Sequence, residues 1–216
     1  MRERFQARLD ELTTKVLDLI AADADAISAA TAAVVDSDPE AARRTREIAD
    51  RVEMLRAAAE DHAVSVLALE QPVARDLRQV VSAIHLVSDL ARMAELAGHI
   101  AQAAQRRHPD AMAPKEIVEL FARMGAVAAT LTAGAADVMR NPDPQRAIEL
   151  ERQDEELNDL HRDLHRRLAD APPSVCEAVD SALVGRYFER FGDHAVEVGR
   201  RTVYFLTGFD FARHAA

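Results

Sequence analysis

This sequence has few of the residues that end helices or build sheets. Its 216 residues include only 7 glycines and 8 prolines, no tryptophan, and 4% aromatic residues in all. Glycine and proline interrupt regular structure, and aromatic side chains are enriched in strands. Alanine, leucine, glutamate and arginine are abundant instead. The composition therefore argues against a β-sandwich or barrel and predicts an all-α protein.

The sequence also has a single cysteine and fewer basic than acidic residues. Cys176 is the only cysteine, so an intrachain disulfide is impossible and a reducing compartment is expected. The 27 basic and 37 acidic side chains give a net charge of −10, which disfavours general binding to nucleic acid or anionic lipid. No apolar leader follows Met1, and the longest uncharged runs are short for a bilayer span. We therefore expect a soluble, cytoplasmic protein.

Prolines divide the chain into six predicted helices. Pro39, Pro72, Pro114 and Pro144 stand at helix starts, where the missing N–H of proline costs nothing. Long helices with short connections pack antiparallel, so six of them grouped in threes predict two tandem three-helix bundles, residues 1–108 and 109–216. The predicted helices span residues 3–36, 39–69, 72–106, 114–140, 144–169 and 174–206.

The residues from 186 to 195 have an altered copy upstream. An offset of 98 residues aligns Asp193 with Glu95, and it indicates an internal duplication. In the second copy, Glu189 and Asp193 lie four residues apart on one helix face, where like charges repel unless a metal cation or an arginine compensates. The same offset pairs Arg190 with Arg92, Ala195 with Ala97, Glu189 with Ala91, and Gly192 with Ala94.

The fifth predicted helix adds two oxygen-bearing side chains. Asp154 interrupts a stripe of leucines, and a carboxylate in that place is costly unless it is paired or bound to metal. Asn158 follows four residues later, on the helix expected to run antiparallel to Glu189 and Asp193. Four such oxygens suit a hard or borderline divalent cation. The alternative is a set of solvent-facing charges that nearby arginines neutralise.

Two histidines extend this row. His161 and His165 lie four residues apart, and His161 continues the face that carries Asp154 and Asn158. His161 could therefore be a further metal ligand or a partner of one. The alternative is that both histidines are exposed polar surface residues.

Signals of catalysis are missing from the sequence. There is no Glu-x-x-His motif of the di-metal oxidases, no Gly-x-Ser-x-Gly nucleophile turn, and no glycine-rich phosphate loop. We therefore expect a non-enzymatic protein.

These motifs as a set resemble the PhoU family of phosphate-transport regulators. The resemblance rests on the acidic motif of the sixth helix, which ends with Arg-x-Gly-Asp-His-Ala at residues 190–195, on its upstream copy, and on residues 71–78. It covers essentially the whole chain. It implies negative regulation of phosphate uptake and of the phosphate-starvation response. The chain would act as an adaptor between the ATPase subunit of a phosphate ABC transporter and a sensor histidine kinase. The alternative is a metal-binding scaffold or metal-storage protein without a signalling role.

The resemblance also implies that each bundle binds a metal ion, which would be iron, zinc, manganese or magnesium. In the first bundle, Ala49 and Ala91 replace two of the acids, so a weaker site is expected there. The implied ligands are Asp154, Asn158, Glu189 and Asp193 in the second bundle, and Glu53 and Glu95, with Asp50 and Asp89 nearby, in the first.

Partner binding is expected at the start of the third helix. Arg75, Asp76 and Arg78 follow Pro72 within one helical turn, although the arginines could instead pair with Asp76 and Glu70. With a net charge of −10, any location at the inner face of the membrane would depend on protein partners. Alanine-rich faces, together with the resemblance, predict a homodimer. These faces comprise Ala29, Ala30, Ala32, Ala33, Ala126, Ala128, Ala129 and Ala133.

Overall fold

Six α-helices account for almost all of the described structure, a computed structural model that covers residues 2–170 and 174–208. No strand occurs in these residues, which confirms the all-α prediction. Each bound lies within two residues of the one predicted from the sequence. The helices are α1 (Arg2–Val35), α2 (Pro39–Glu70), α3 (Ala74–Arg107), α4 (Lys115–Arg140), α5 (Pro144–Asp170) and α6 (Val175–Thr207).

Side-chain caps explain where two of the helices begin. The Asp38 carboxylate accepts a hydrogen bond from the backbone N–H of Glu40, with Pro39 at the first helical position. Ser174 and Glu177 form a reciprocal capping box at the start of α6. Each cap satisfies N–H groups that the first turn leaves free, and is worth about 1 kcal/mol.

The start of α3 differs from the predicted one. The helix begins at Ala74 instead of Pro72, because Gln71 ends α2 in a left-handed conformation with φ 48° and Val73 is extended. The chain therefore needs two more residues to reverse direction than the proline signal indicated.

The helices pack in two groups of three. α1, α2 and α3 contact one another, as do α4, α5 and α6, and the two groups meet where α1 contacts α4 and α3 contacts α6. α3 packs against α6 as extensively as against its own neighbours, and one continuous apolar core runs through both groups. The division at residue 108 therefore stays a prediction.

Polar contacts cross the joint between α3 and α6. Asp89 faces Arg201 Nε at 2.9 Å and His194 Nδ1 at 3.3 Å. His99 lies against the ring of Tyr187 with 5.1 Å between centroids. Asp89 and Tyr187 are related by the 98-residue offset. Equivalent positions of the two repeats therefore contact the opposite helix across the antiparallel α3–α6 pair. At one end of the joint, Arg106 and Arg107 pair with Asp180 at 3.2 and 3.0 Å.

Glycines on α6 allow α5 to approach closely. Gly185, Gly192 and Gly199 recur every seven residues and face leucines of α5. A Cβ atom at Gly192 would lie 2.5 Å from Leu157 Cδ2, well inside van der Waals contact. The close approach brings Asp154 of α5 directly against the α6 backbone.

α4 is the most apolar helix of the described chain. Lys115–Arg140 is long and apolar enough to cross a membrane, by length and composition only, with a mean hydropathy of 1.3 over its best window. It contacts α1, α5 and α6 along its length, and Phe121 stacks on Phe188 of α6 at 6.3 Å. These contacts are those of a core helix in a bundle.

The alanine faces are used differently from the prediction. Ala29, Ala30, Ala33 and Ala128 are fully buried within the chain, since α1 lies between three other helices. Gly125 of α4 is packed against Thr31 of α1. The small residues of α1 therefore bring the two bundles together and are not available to a second copy. On α4, Ala126 and Ala133 are exposed, so a face left for a second copy stays a prediction there.

Candidate functional site

The candidate site is an acidic hollow between α5 and α6. It has a volume of about 450 Å³, and its acids come from successive turns of the two helices. Of the predicted metal ligands, Asp154 and Asp193 lie in this hollow. Its lining is Glu151, Asp154, Glu155, Asp193, Val196, Glu197 and Arg200.

Asp154 is the buried acid of this hollow, with 9% of its surface exposed. Its Oδ2 atom accepts a hydrogen bond from the Asn158 amide at 2.9 Å. Its Oδ1 atom is buried and has no hydrogen-bond partner among the described residues. A Cβ atom at Gly192 would lie 2.6 Å from Oδ1, so this oxygen occupies the space that the glycine leaves free.

Burial and like charge make the acids reluctant to ionise. Burial, followed by the charges of Asp193 and Glu189, raises the pKa of Asp154 to about 6, although the Asn158 hydrogen bond opposes the shift. Burial and Asp193 also raise the pKa of Glu189, against the influence of Arg186. A bound cation would relieve the repulsion that raises both values.

The donor set suits a metal ion in its chemistry, but its side chains are not gathered into a cage. Glu189 is ion-paired with Arg186, and Asn158 presents its NH₂ group, a donor, to Asp154. Within residues 2–170 and 174–208, no three His, Cys, Asp or Glu side chains stand together as a metal site. Metal binding would require Asn158 to turn its carbonyl oxygen inward and Glu189 to leave Arg186.

The first bundle uses its remaining acids in ion pairs. Glu53 is paired with Arg56, whose hydrogen bond lowers the pKa of Glu53, and Glu95 is paired with Arg92. Asp89 points toward α6 instead, and Asp50 is exposed on α2. Glu53 and Glu95 nevertheless line one hollow of about 550 Å³, together with Glu60. Asp89 does not join them, because the helix register turns it toward α6.

The two histidines of α5 face each other. Their Nε2 atoms lie 3.0 Å apart. His161 is half-buried, and burial followed by the charges of His165 and Arg186 lowers its pKa, with Asp193 acting in the opposite direction. The two rings are therefore in contact with each other, and only His165 is exposed as the surface interpretation predicts.

The predicted partner surface is divided in the structure. Arg75 is exposed, whereas the Arg78 guanidinium lies over the ring of Tyr204 at 5.6 Å. The alternative pairing with Glu70 is not seen in the described residues, where Glu70 lies 3.5 Å from Arg8. Arg75 is thus available to a partner, and Arg78 is engaged with α6.

Comparison with known proteins places both bundles in one family. A family model described as the PhoU domain matches residues 16–104 and 121–202. This chain belongs to the PhoU family. Two Mycobacterium tuberculosis proteins, phosphate-specific transport system accessory protein PhoU homologs 1 and 2, are each 40% identical to this PhoU-family chain over 210 residues. Those matches cover 96% of the chain and 95% and 99% of the two relatives.

Solved structures show the same PhoU fold. The crystal structure of PhoU from Pseudomonas aeruginosa matches with a TM-score of 0.87 at 23% identity, covering 95% of this chain and 100% of that one. The phosphate transport system regulatory protein PhoU from Streptococcus pneumoniae matches with a TM-score of 0.82 at 24% identity, covering 95% and 98%. The arrangement of six helices is therefore that of the family.

One buried acid was missed in the sequence. Asp23 of α1 is fully buried, neither carboxylate oxygen has a hydrogen-bond partner in the described chain, and burial raises its pKa well above the usual range. The signal was available, because Asp23 lies four residues from both Leu19 and Ile27 on the apolar face of α1.

We predict that Asp154 makes stability depend on pH. Its pKa of about 6 in the folded protein lies above the value of 3.8 in the unfolded chain, so folding is favoured below pH 3.8 and weakens as pH rises through 6. In the presence of chelator, the free energy of unfolding of Asp154→Asn relative to that of wild type should rise by about 1 to 2 kcal/mol from pH 4 to pH 8, allowing for solvent screening. Urea unfolding at both pH values measures this gain. An equal gain in the exposed control Glu156→Gln would contradict the assignment.

Proposed function

We propose that this PhoU-family chain is a negative regulator of phosphate uptake and of the phosphate-starvation response. It would act as a non-catalytic adaptor between the ATPase subunit of a phosphate ABC transporter and a sensor histidine kinase. The observation that carries the proposal is the match of both bundles to the PhoU domain. The names of the M. tuberculosis relatives, accessory proteins of a phosphate-specific transport system, support it over almost their full length.

The start of α3 offers a surface suited to docking. Val73, Leu77 and Val81 are spaced four residues apart and are 73%, 42% and 41% exposed. Leu77 and Val81 share one face of α3, and Val73 precedes the helix in an extended conformation. Arg75 is exposed two residues before Leu77, so its guanidinium group leaves α3 on a different side. A partner could bind the apolar residues through burial and the guanidinium group through charge.

We also propose that Asp154, Glu189 and Asp193, with Asn158, bind a metal ion in the second bundle. The unpartnered Oδ1 atom of Asp154 and the mutual repulsion of the acids support this. Iron, zinc, manganese and magnesium all accept carboxylate ligands. A metal ion here would add positive charge between the acids of α5 and those of α6, and so hold the two helices in fixed register.

A cytoplasmic homodimer completes the proposal, with recruitment to the membrane by protein partners. The dimer is supported by an exposed apolar stripe on α6, where Val175, Val179 and Leu183 are 80%, 54% and 41% exposed. Light scattering at micromolar concentration should return about twice the 23.7 kDa chain mass. A strictly monomeric mass would remove the dimer from the proposal.

Deletion of the gene tests the regulatory role. We expect phosphate-scavenging genes to be expressed in the deletion strain even when phosphate is plentiful, because the restraint on the sensor kinase is lost. Transcript levels in phosphate-rich medium measure this. Normal repression in the deletion strain, with no second copy of the protein present, would leave the metal-binding scaffold as the better function.

A charge reversal tests the surface separately. Arg75→Glu should reproduce the deletion phenotype with the fold intact, because Arg75 is exposed and lies outside the apolar core. Arg51→Glu, at an exposed position on α2, is the matched control and should keep repression. If both variants repress normally while the deletion does not, the role stands and the docking surface lies elsewhere.

A further inference from the structure

His161 and His165 form a preorganised pair of imidazoles on α5. Their Nε2 atoms converge to 3.0 Å, with ring centroids 4.5 Å apart and ring planes at 64°. The ring of His161 lies against α6, where a Cβ atom at Gly185 would be 3.3 Å from Cδ2. Gly185 thus leaves room for the His161 ring to pack against α6, whereas the His165 ring is exposed to solvent.

The convergence of the two nitrogens suits a metal chelate. Each Nε2 atom of a neutral imidazole can carry a lone pair, and histidines four residues apart on a helix reach a common point in front of it. Two imidazoles on a tetrahedral ion with metal–nitrogen bonds of about 2.0 to 2.1 Å place their nitrogens ~3.3 Å apart. The observed separation needs only a small rotation of the exposed ring.

The surroundings keep His161 neutral, the form that can bind a metal ion. Burial, followed by the charges of His165 and Arg186, lowers its pKa against the smaller influence of Asp193, so its lone pair stays available at neutral pH. The pair is also distinct from the carboxylate cluster in its donor atoms. Imidazole nitrogen binds nickel, copper and zinc well and binds the hard ions magnesium and calcium poorly.

We propose that His161 and His165 form a second metal site, chelating a nickel, copper or zinc ion through both Nε2 atoms, with water in the remaining positions. The site shares no ligand with the carboxylate cluster, and it does not rest on the proposed role in phosphate signalling. It would let the same face of α5 and α6 take up two kinds of metal ion, a hard ion at the acids and a borderline ion at the imidazoles.

Calorimetric titration of the full chain with Ni²⁺, in buffer containing excess Mg²⁺ to fill oxygen-ligand sites, tests the proposal. His165→Ala removes one exposed imidazole, and the affinity for Ni²⁺ should fall at least tenfold, since losing even an outer partner of a ligand costs about 10-fold to 100-fold. His85→Ala is the matched control, an exposed histidine on α3, and should bind Ni²⁺ as wild type does. His165→Gln, which keeps a polar side chain, should behave as His165→Ala.

Two results would overturn the site. One is equal Ni²⁺ affinity in wild type and His165→Ala. The other is Ni²⁺ binding that survives in His165→Ala but is lost in Glu189→Ala with Asp193→Ala, since this would place the ion on the carboxylates. Circular dichroism at matched concentration shows that each variant is folded.

Discussion

Gly125→Val should lower the free energy of unfolding by about 3 kcal/mol, the upper part of the range for overpacking a core. A Cβ atom at Gly125 would lie 2.3 Å from Thr31 Oγ1 and 2.9 Å from Thr31 Cβ. Threonine is β-branched and has few rotamers in a helix, so α1 and α4 would have to separate. Urea unfolding followed by circular dichroism measures the loss.

Two further variants isolate this contact. Gly98→Ala is the control, because nothing lies within 4 Å of a Cβ atom there, and it should be neutral or stabilising by about 0.5 to 1 kcal/mol. Thr31→Ala combined with Gly125→Ala should recover much of the loss caused by Gly125→Ala alone, as residues in contact do not act additively. Strict additivity of the two changes would show that the bundles do not meet at this contact.

Removing the second-bundle acids should remove bound metal. We expect wild type purified without chelator to carry a metal ion, and Glu189→Ala with Asp193→Ala to lose it, because Asp154 alone cannot hold the ion. Metal analysis of the purified proteins gives the content. Metal at 100 times its dissociation constant should also stabilise wild type by about 2.7 kcal/mol, and the double variant should lose that gain.

The first bundle supplies the matched control. Glu53→Ala with Glu95→Ala should change metal content much less, since both acids are already paired with arginines. Metal content that is unchanged in the second-bundle double variant, or only traces of metal in wild type, would rule out the carboxylate site.

The helices were predictable because their signals are local. Proline, capping residues and apolar periodicity act within a few residues of one another, so every helix bound was placed within two residues. Asp154 was also predictable as a buried acid, since its place on the leucine stripe follows from the helical period.

Side-chain pairing in the site depended on the register between helices. Asp89 faces α6, Arg78 reaches Tyr204, and the Asp154 carboxylate fills the space beside Gly192. Each of these contacts joins residues at least 38 positions apart in the sequence. The spacing along one helix shows which residues share a face, but not which residue of another helix stands opposite.

The antiparallel joint of α3 and α6 suggests how the chain arose. Asp89 and Tyr187, equivalent in the repeat, both lie on this joint, each facing the helix of the other half. Such an arrangement is that of a symmetric dimer interface, in which the same residues face each other across a two-fold axis. In a chain that holds both copies, unlike a dimer of identical chains, each half can change alone. The two halves here differ in that way, since Glu189 and Asp193 of the second half stand where the first half has Ala91 and Glu95.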